Sequence, residues 1–204
     1  MTTTNKEYAN GNEGTCDKEG IPEVKRIRLC KVHDEVHCTN GFSEGGCINS
    51  DCDDLCCTGS AEFDKHAYEL VIKHWDKIKP LIGKDIAPED CFEGEWLNDP
   101  EYIGGNAIDS KIDPKTGYCM FHLPTGKGCS LFRLVFSEGL PKGMIPSICK
   151  LFPVTWRDST LMVSDKSDIP HTCECMSSKK NSKKRSSLFE TQRHAIEEIF
   201  EMHE

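Results

Sequence analysis

Apolar and polar positions alternate along this chain in two rhythms, and each rhythm predicts an element. Phe63, Ala67, Leu70, Val71, Trp75 and Ile78 return at three- and four-residue spacing, which places them on one face of a helix. Ser60 stands as the N-cap, and Pro80, which has no amide proton to donate, blocks continuation. Leu131, Phe132, Leu134, Val135 and Phe136 predict a second helix, capped by Ser130 and stopped by Gly139 and Pro141. Phe189, Ile196, Ile199 and Phe200 give a third, behind the capping box that Ser187 and Glu190 form.

The strand rhythm is shorter and less regular. Val24, Ile27, Leu29 and Val32 interleave with Lys25, Arg26, Arg28 and Lys31 as an imperfectly alternating strand carrying Cys30. Residues 117–122 read as a strand leading into the turn Pro124-Thr-Gly-Lys-Gly128, and residues 154–157 and 160–163 read as a hairpin across Asp158 and Ser159. His33 to Gly46 is polar, residues 83–113 are loop-rich with one short helical stretch over 88–96, and residues 146–153 form a proline-bracketed turn. The fold class expected is α+β, a small irregular single domain with short strands and a few helices. Its boundaries are a disordered tail over residues 1–22, a domain over 23–176, a basic linker over 177–186 and a C-terminal helix over 187–204. That helix is expected either to pack on the domain or to meet a protein partner.

Composition sharpens this picture. With 204 residues, 37% of them hydrophobic, the apolar core must be modest. Thirteen cysteines offer a second source of stability, as disulfides or as metal ligands. No positively charged segment followed by an apolar run opens the chain, and no run approaches a membrane span, so a soluble cytoplasmic protein is expected. In a reducing compartment thiols stay free, which favours metal over disulfides. A formal charge of −9 argues against nucleic acid as a partner, and the run Lys179-Lys180-Asn-Ser-Lys183-Lys184-Arg185 reads as a solvated linker.

The cysteines carry the chemistry. Cys47, Cys52, Cys56 and Cys57 fall within eleven residues as C-x4-C-x3-C-C, and Cys119, Cys129, Cys149 and Cys173 are spread along the second half. Cys119 and Cys129 flank a turn, a recurrent way of presenting half of a four-cysteine site. The helix expected after Cys56 and Cys57 would place its dipole beside them and lower their pKa. The spacing matches neither the usual ferredoxin runs nor the paired C-x2-C knuckles of zinc ribbons. Both zinc and an iron–sulfur cluster want several thiolates, so spacing leaves the two open. Cys91 is read as a small buried hydrophobe, and His66 and His74 as boundary residues of the first helix. Glu93, Glu95, Asp109, Asp113 and His122 are the acid–base groups an enzyme would draw on, though carboxylates at such spacings are ordinarily just solvated.

These motifs carry a resemblance. The first block followed by Gly59, then Tyr118-Cys119-Met-Phe, Gly128-Cys129, Glu138-Gly139 and Pro146-x2-Cys149-x-Leu-Phe-Pro-Val, resembles the bacterial cysteine-cluster proteins described as zinc- or iron-chelating domains. The likeness covers roughly residues 47–175 and is nearest the uncharacterised branch with the longer first spacing. It implies that Cys47, Cys52, Cys56, Cys57, Cys119, Cys129, Cys149 and Cys173 are the metal ligands, with Cys175 as the alternative to Cys173. Some members are flagellin lysine N-methylases; that activity is not expected here, because the chain has no glycine-rich nucleotide loop between a strand and a helix. The expectation is a metal protein, iron–sulfur of the four-iron type ahead of zinc, with a redox or accessory role to a modifying enzyme; a zinc-stabilised interaction module and a metal-dependent enzyme are the alternatives.

Overall fold

The computed structural model describes residues 26–41, 54–125, 127–165 and 186–202. Cys47, Cys52, Cys173, Cys175, the N-terminal tail and most of the basic linker lie outside the described residues.

Two apolar clusters organise the α+β architecture. The first gathers the chain's two described ends. Strand β1 (Ile27–Leu29) pairs in parallel with β8 (Phe200–Met202), and β2 (Lys31–Val32) pairs in parallel with β7 (Thr160–Val163), which runs antiparallel to β6 (Val154–Arg157). Ile27, Leu29, Val154, Leu161 and Phe200 point inward between helices α1 (Asp34–Cys38), α5 (Ser147–Leu151) and α6 (Leu188–Ile199). Each fully buried side chain of this size stabilises by about 1.5–3 kcal/mol.

The β6–β7 hairpin across Asp158 and Ser159 is as expected, and both turn residues have positive φ, 50° and 56°. That is the backbone of a tight hairpin turn matching strand twist. The Glu101 carboxylate anchors it, accepting the amide protons of Asp158 and Ser159. The C-terminal helix starts with its capping box intact, Ser187 Oγ accepting from the Glu190 amide and the Glu190 carboxylate from the Ser187 amide. It ends at Ile199, one residue short of the expected stripe, because Phe200 turns into β8 and is buried there. Leu188, Ile196 and Ile199 are buried in the first cluster, so the helix packs on the body and its apolar face is used within the chain.

The second cluster holds a three-stranded antiparallel sheet and three helices. Here the expected first helix is corrected. Residues Glu62–Asp64 are strand β3, because Phe63 pairs with Ile108 of β5 (Asn106–Ser110) and is buried among Phe92 and Phe121. The helix begins only after Asp64, whose Oδ1 accepts the Ala67 amide proton in place of a Ser60 cap. It runs as α2 (Lys65–Lys73), breaks at His74 and resumes as α3 (Trp75–Ile82), with Pro80 inside. Pro80 removes one hydrogen bond near the end of α3, while Ile78 and Ile82 on the same helix are fully buried.

Five further expectations change. The segment read as polar after His33 is helix α1, with His33 Nδ1 accepting from the Glu35 amide. The loop-rich region contains strand β4 (Phe92–Asn98) paired with β5, hidden in the sequence because all of β4 after Phe92 is exposed and a bulge falls between Glu93 and Leu97. Residues 117–122 form turns, with single bridges Ile112–Cys119 and His122–Cys129, in place of a strand. The proline-bracketed turn contains helix α5. Helix α4 (Ser130–Glu138) ends as expected at Gly139, but Ser130 does not cap it: its hydroxyl donates to the Phe121 carbonyl, and Phe136 is 61% exposed.

Among the described residues no helix is long and apolar enough to cross a membrane.

Candidate metal centre

Four separate stretches deliver cysteines to the edge of the second cluster. Cys56 and Cys57 lie in a one-turn 3-10 helix, Leu55–Thr58, opened by Asp54 in the left-handed conformation and closed by the Cys57 amide donating to the Asp54 carbonyl. Cys119 follows the turn of residues 113–117 and pairs with Ile112. Cys129 occupies the N-cap position of α4, and Cys149 sits within α5. The Cys119 amide donates to the Cys57 carbonyl at 2.7 Å, a main-chain bond that ties the first two stretches directly. Cys119, Cys129 and Cys149 all pack against the second apolar cluster.

The thiols feel one another. Cys57 donates a hydrogen bond to Cys56, and this bond, burial, and the proximity of Cys56, Cys129 and Cys149 push its pKa far above the ordinary thiol value. Burial pushes Cys129 up to about 12, with Cys119 and Cys56 adding like charge. Burial also raises Cys119, against the opposing influence of Ser110, the Phe121 amide and the Lys84 ammonium; its sulfur lies 3.4 Å from Ser110 Oγ. The helix expected directly after Cys56 and Cys57 begins only at Lys65, beyond strand β3, so the expected activation by its dipole is overturned, and Cys57 is a thiol raised by its own neighbours. Without a cation, several adjacent thiolates repel, and protonation relieves that repulsion.

Five of the eight expected ligands, Cys56, Cys57, Cys119, Cys129 and Cys149, are thus brought to one neighbourhood, and Cys47, Cys52 and Cys173 fall outside the described residues. Among the described residues no three His, Cys, Asp or Glu side chains already stand in ligand geometry, and no disulfide joins two cysteines. Cys91 is fully buried in the apolar cluster, as expected of a small hydrophobe, and its thiol is pushed up to about 12 by burial. His74 stands at the α2–α3 joint and His66 on the first turn of α2; burial lowers both imidazoles.

The acid–base candidates do not converge as a set. Glu93 and Asp109 face each other across β4 and β5. Asp113 instead pairs with Lys84 at 3.1 Å and accepts from the Lys115 amide, which holds its carboxyl below the usual range. It lines a cleft with Asp54, Lys84, Tyr118 and His122. Three of the groups touching the thiol stretches, Asp54, Lys84 and Ser110, carry no signal in the sequence beyond the proximity of Asp54 to Cys56. No family model, curated protein or solved structure matches the chain.

Proposed function

We propose that this chain is a metal-binding cysteine-cluster protein that carries an iron–sulfur cluster and serves a redox or accessory role beside a modifying enzyme. The observation that carries the reading is the convergence of Cys56, Cys57, Cys119, Cys129 and Cys149 from four separated stretches onto one margin of the core. Ionised sulfurs gathered this closely repel one another, whereas a soft cation bound among them turns the repulsion into attraction. The resemblance to cysteine-cluster proteins points the same way and adds Cys47, Cys52 and Cys173, or Cys175, to the donors.

The donor chemistry fits a soft metal. The five thiols would hold the centre together with the three donors outside the described residues, more sulfur than one tetrahedral ion needs. An iron–sulfur cluster bound there supplies one-electron transfer; zinc would supply a fixed structural cation. The chain's own contribution is to gather the donors at the margin of the second apolar cluster, against which Cys119, Cys129 and Cys149 pack. Because Cys57, Cys119 and Cys129 are held as thiols, metal must displace protons, so uptake weakens as pH falls.

Anaerobic purification followed by iron, zinc and acid-labile sulfide analysis and a visible spectrum tests this. Brown protein with sulfide matching iron, bleached by dithionite, is the expected result. Colourless protein with stoichiometric zinc would leave a zinc-stabilised module, and protein that takes up neither metal under reducing conditions would overturn the reading.

A further inference from the structure

We infer that Asp54 is the positioning residue of the thiol site: its single carboxylate fastens the Cys56–Cys57 turn to the bridged segment that carries Cys119 and Cys129. This inference rests on the metal-binding reading above.

The geometry is specific. Asp54 Oδ2 accepts the Gly128 amide proton at 2.7 Å and lies 3.2 Å from His122 Nε2. Gly128 immediately precedes Cys129 and has φ of 94°, a backbone conformation that glycine adopts without strain. His122 pairs through its backbone with Cys129, and its ring stacks on Tyr118, the residue before Cys119, with centroids 4.3 Å apart and planes 16° from parallel. One carboxylate therefore holds the residue before Cys129 and the ring of His122, which lies between the two cysteines in sequence. It does so from the opening position of the turn that carries Cys56 and Cys57.

The contact between Asp54 Oδ2 and His122 Nε2 is a hydrogen bond in the heart of this arrangement. Both side chains are well sheltered, with 19% of Asp54 and 12% of His122 exposed, so the contact is weakly screened by solvent. Asp54 holds φ of 56°, a conformation that most residues avoid and that Asp and Asn tolerate because a short polar side chain can bond locally. That backbone aims the carboxylate across 74 residues of chain to Gly128. Polar groups that orient ligands from outside the coordination sphere commonly set metal affinity by 10- to 100-fold.

The full chain, stripped of metal under reducing conditions, would be titrated with Zn²⁺ and with Co²⁺ against a chromophoric chelator, in the wild type, Asp54→Ala and Asp54→Asn. Circular dichroism and urea midpoints of the metal-free proteins run alongside. The expected result is a loss of about 10- to 100-fold in affinity for Asp54→Ala. It should come with an altered Co²⁺–thiolate absorption envelope. Asp54→Asn keeps one acceptor oxygen and the tolerance for positive φ, so its loss should be smaller; it also serves if the alanine variant fails to fold. Unchanged affinity and an unchanged Co²⁺ spectrum in a folded Asp54 variant, with the wild type binding normally, would overturn the inference alone. A wild type that binds neither ion would instead sink the metal-binding reading on which it stands.

Discussion

Cys91 separates the effect of burying a thiol from the effect of gathering several. It is fully buried against Phe92 and Met120, and burial lifts its pKa from 9.0 to about 12. The protonated form is the one the fold favours. The stability linked to this group is therefore complete below pH 9 and is lost as pH rises from about 9 toward 12. Metal-free protein unfolded by urea at several alkaline pH values should show that decline, and Cys91→Ala should show a shallower one despite its lower stability at pH 7. Other buried groups such as Tyr102 titrate alike in both proteins, so the difference in slope isolates the thiol. Identical slopes would show that Cys91 does not titrate differently in the folded and unfolded states.

Among the elements, the β6–β7 hairpin depends on a carboxylate distant in sequence. Glu101 takes both amide protons of the tight turn, Asp158 and Ser159, which would otherwise face solvent with no main-chain partner. The backbone carbonyl of Glu101 also accepts from Trp156 Nε1 at 2.8 Å. Glu101→Ala should cost about 1–2 kcal/mol by urea denaturation, the range for charge-assisted hydrogen bonds at a partly exposed site. A change within experimental error would assign the turn's order to its own backbone. The same elements explain what the sequence made legible. The hairpin, the Ser187 capping box and helix α4 were readable because local signals and burial agree there: alternating apolar residues, a cap at the right offset, a glycine at the stop. The start of α2 was not, because Phe63 fits a helical face and a strand equally well, and its pairing with Ile108 decides. Strand β4 was masked by its exposed glutamates and Gly94. At the site, the cysteines announced themselves by density. Asp54 and Ser110 are common polar residues whose importance comes from where the chain carries them.

At the scale of the molecule, two apolar clusters share helix α5, which sends Leu151 into one and Cys149 into the other. Asp64 locks that helix in place. It is 2% exposed, caps α2 through the Ala67 amide and accepts both the amide and the hydroxyl protons of Ser147 at 3.0 Å. Removing the carboxylate leaves three donors without their acceptor, so Asp64→Ala should cost about 3 kcal/mol or more. Its urea midpoint measures this, and a loss under about 1 kcal/mol would mean that the helix is held by packing alone. If the chain binds metal as proposed, the same variant should also weaken uptake because Cys149 rides on α5, in contrast to Glu101→Ala, which acts only on the far cluster.

The bond from the Cys119 amide to the Cys57 carbonyl belongs to the main chain. Apart from proline at position 119, no side-chain replacement deletes it, so the meeting of the two thiol stretches is insulated from most point mutations. Single replacements of Cys57 or Cys119 accordingly leave the two stretches joined, so such variants report the loss of a sulfur and not a displaced chain.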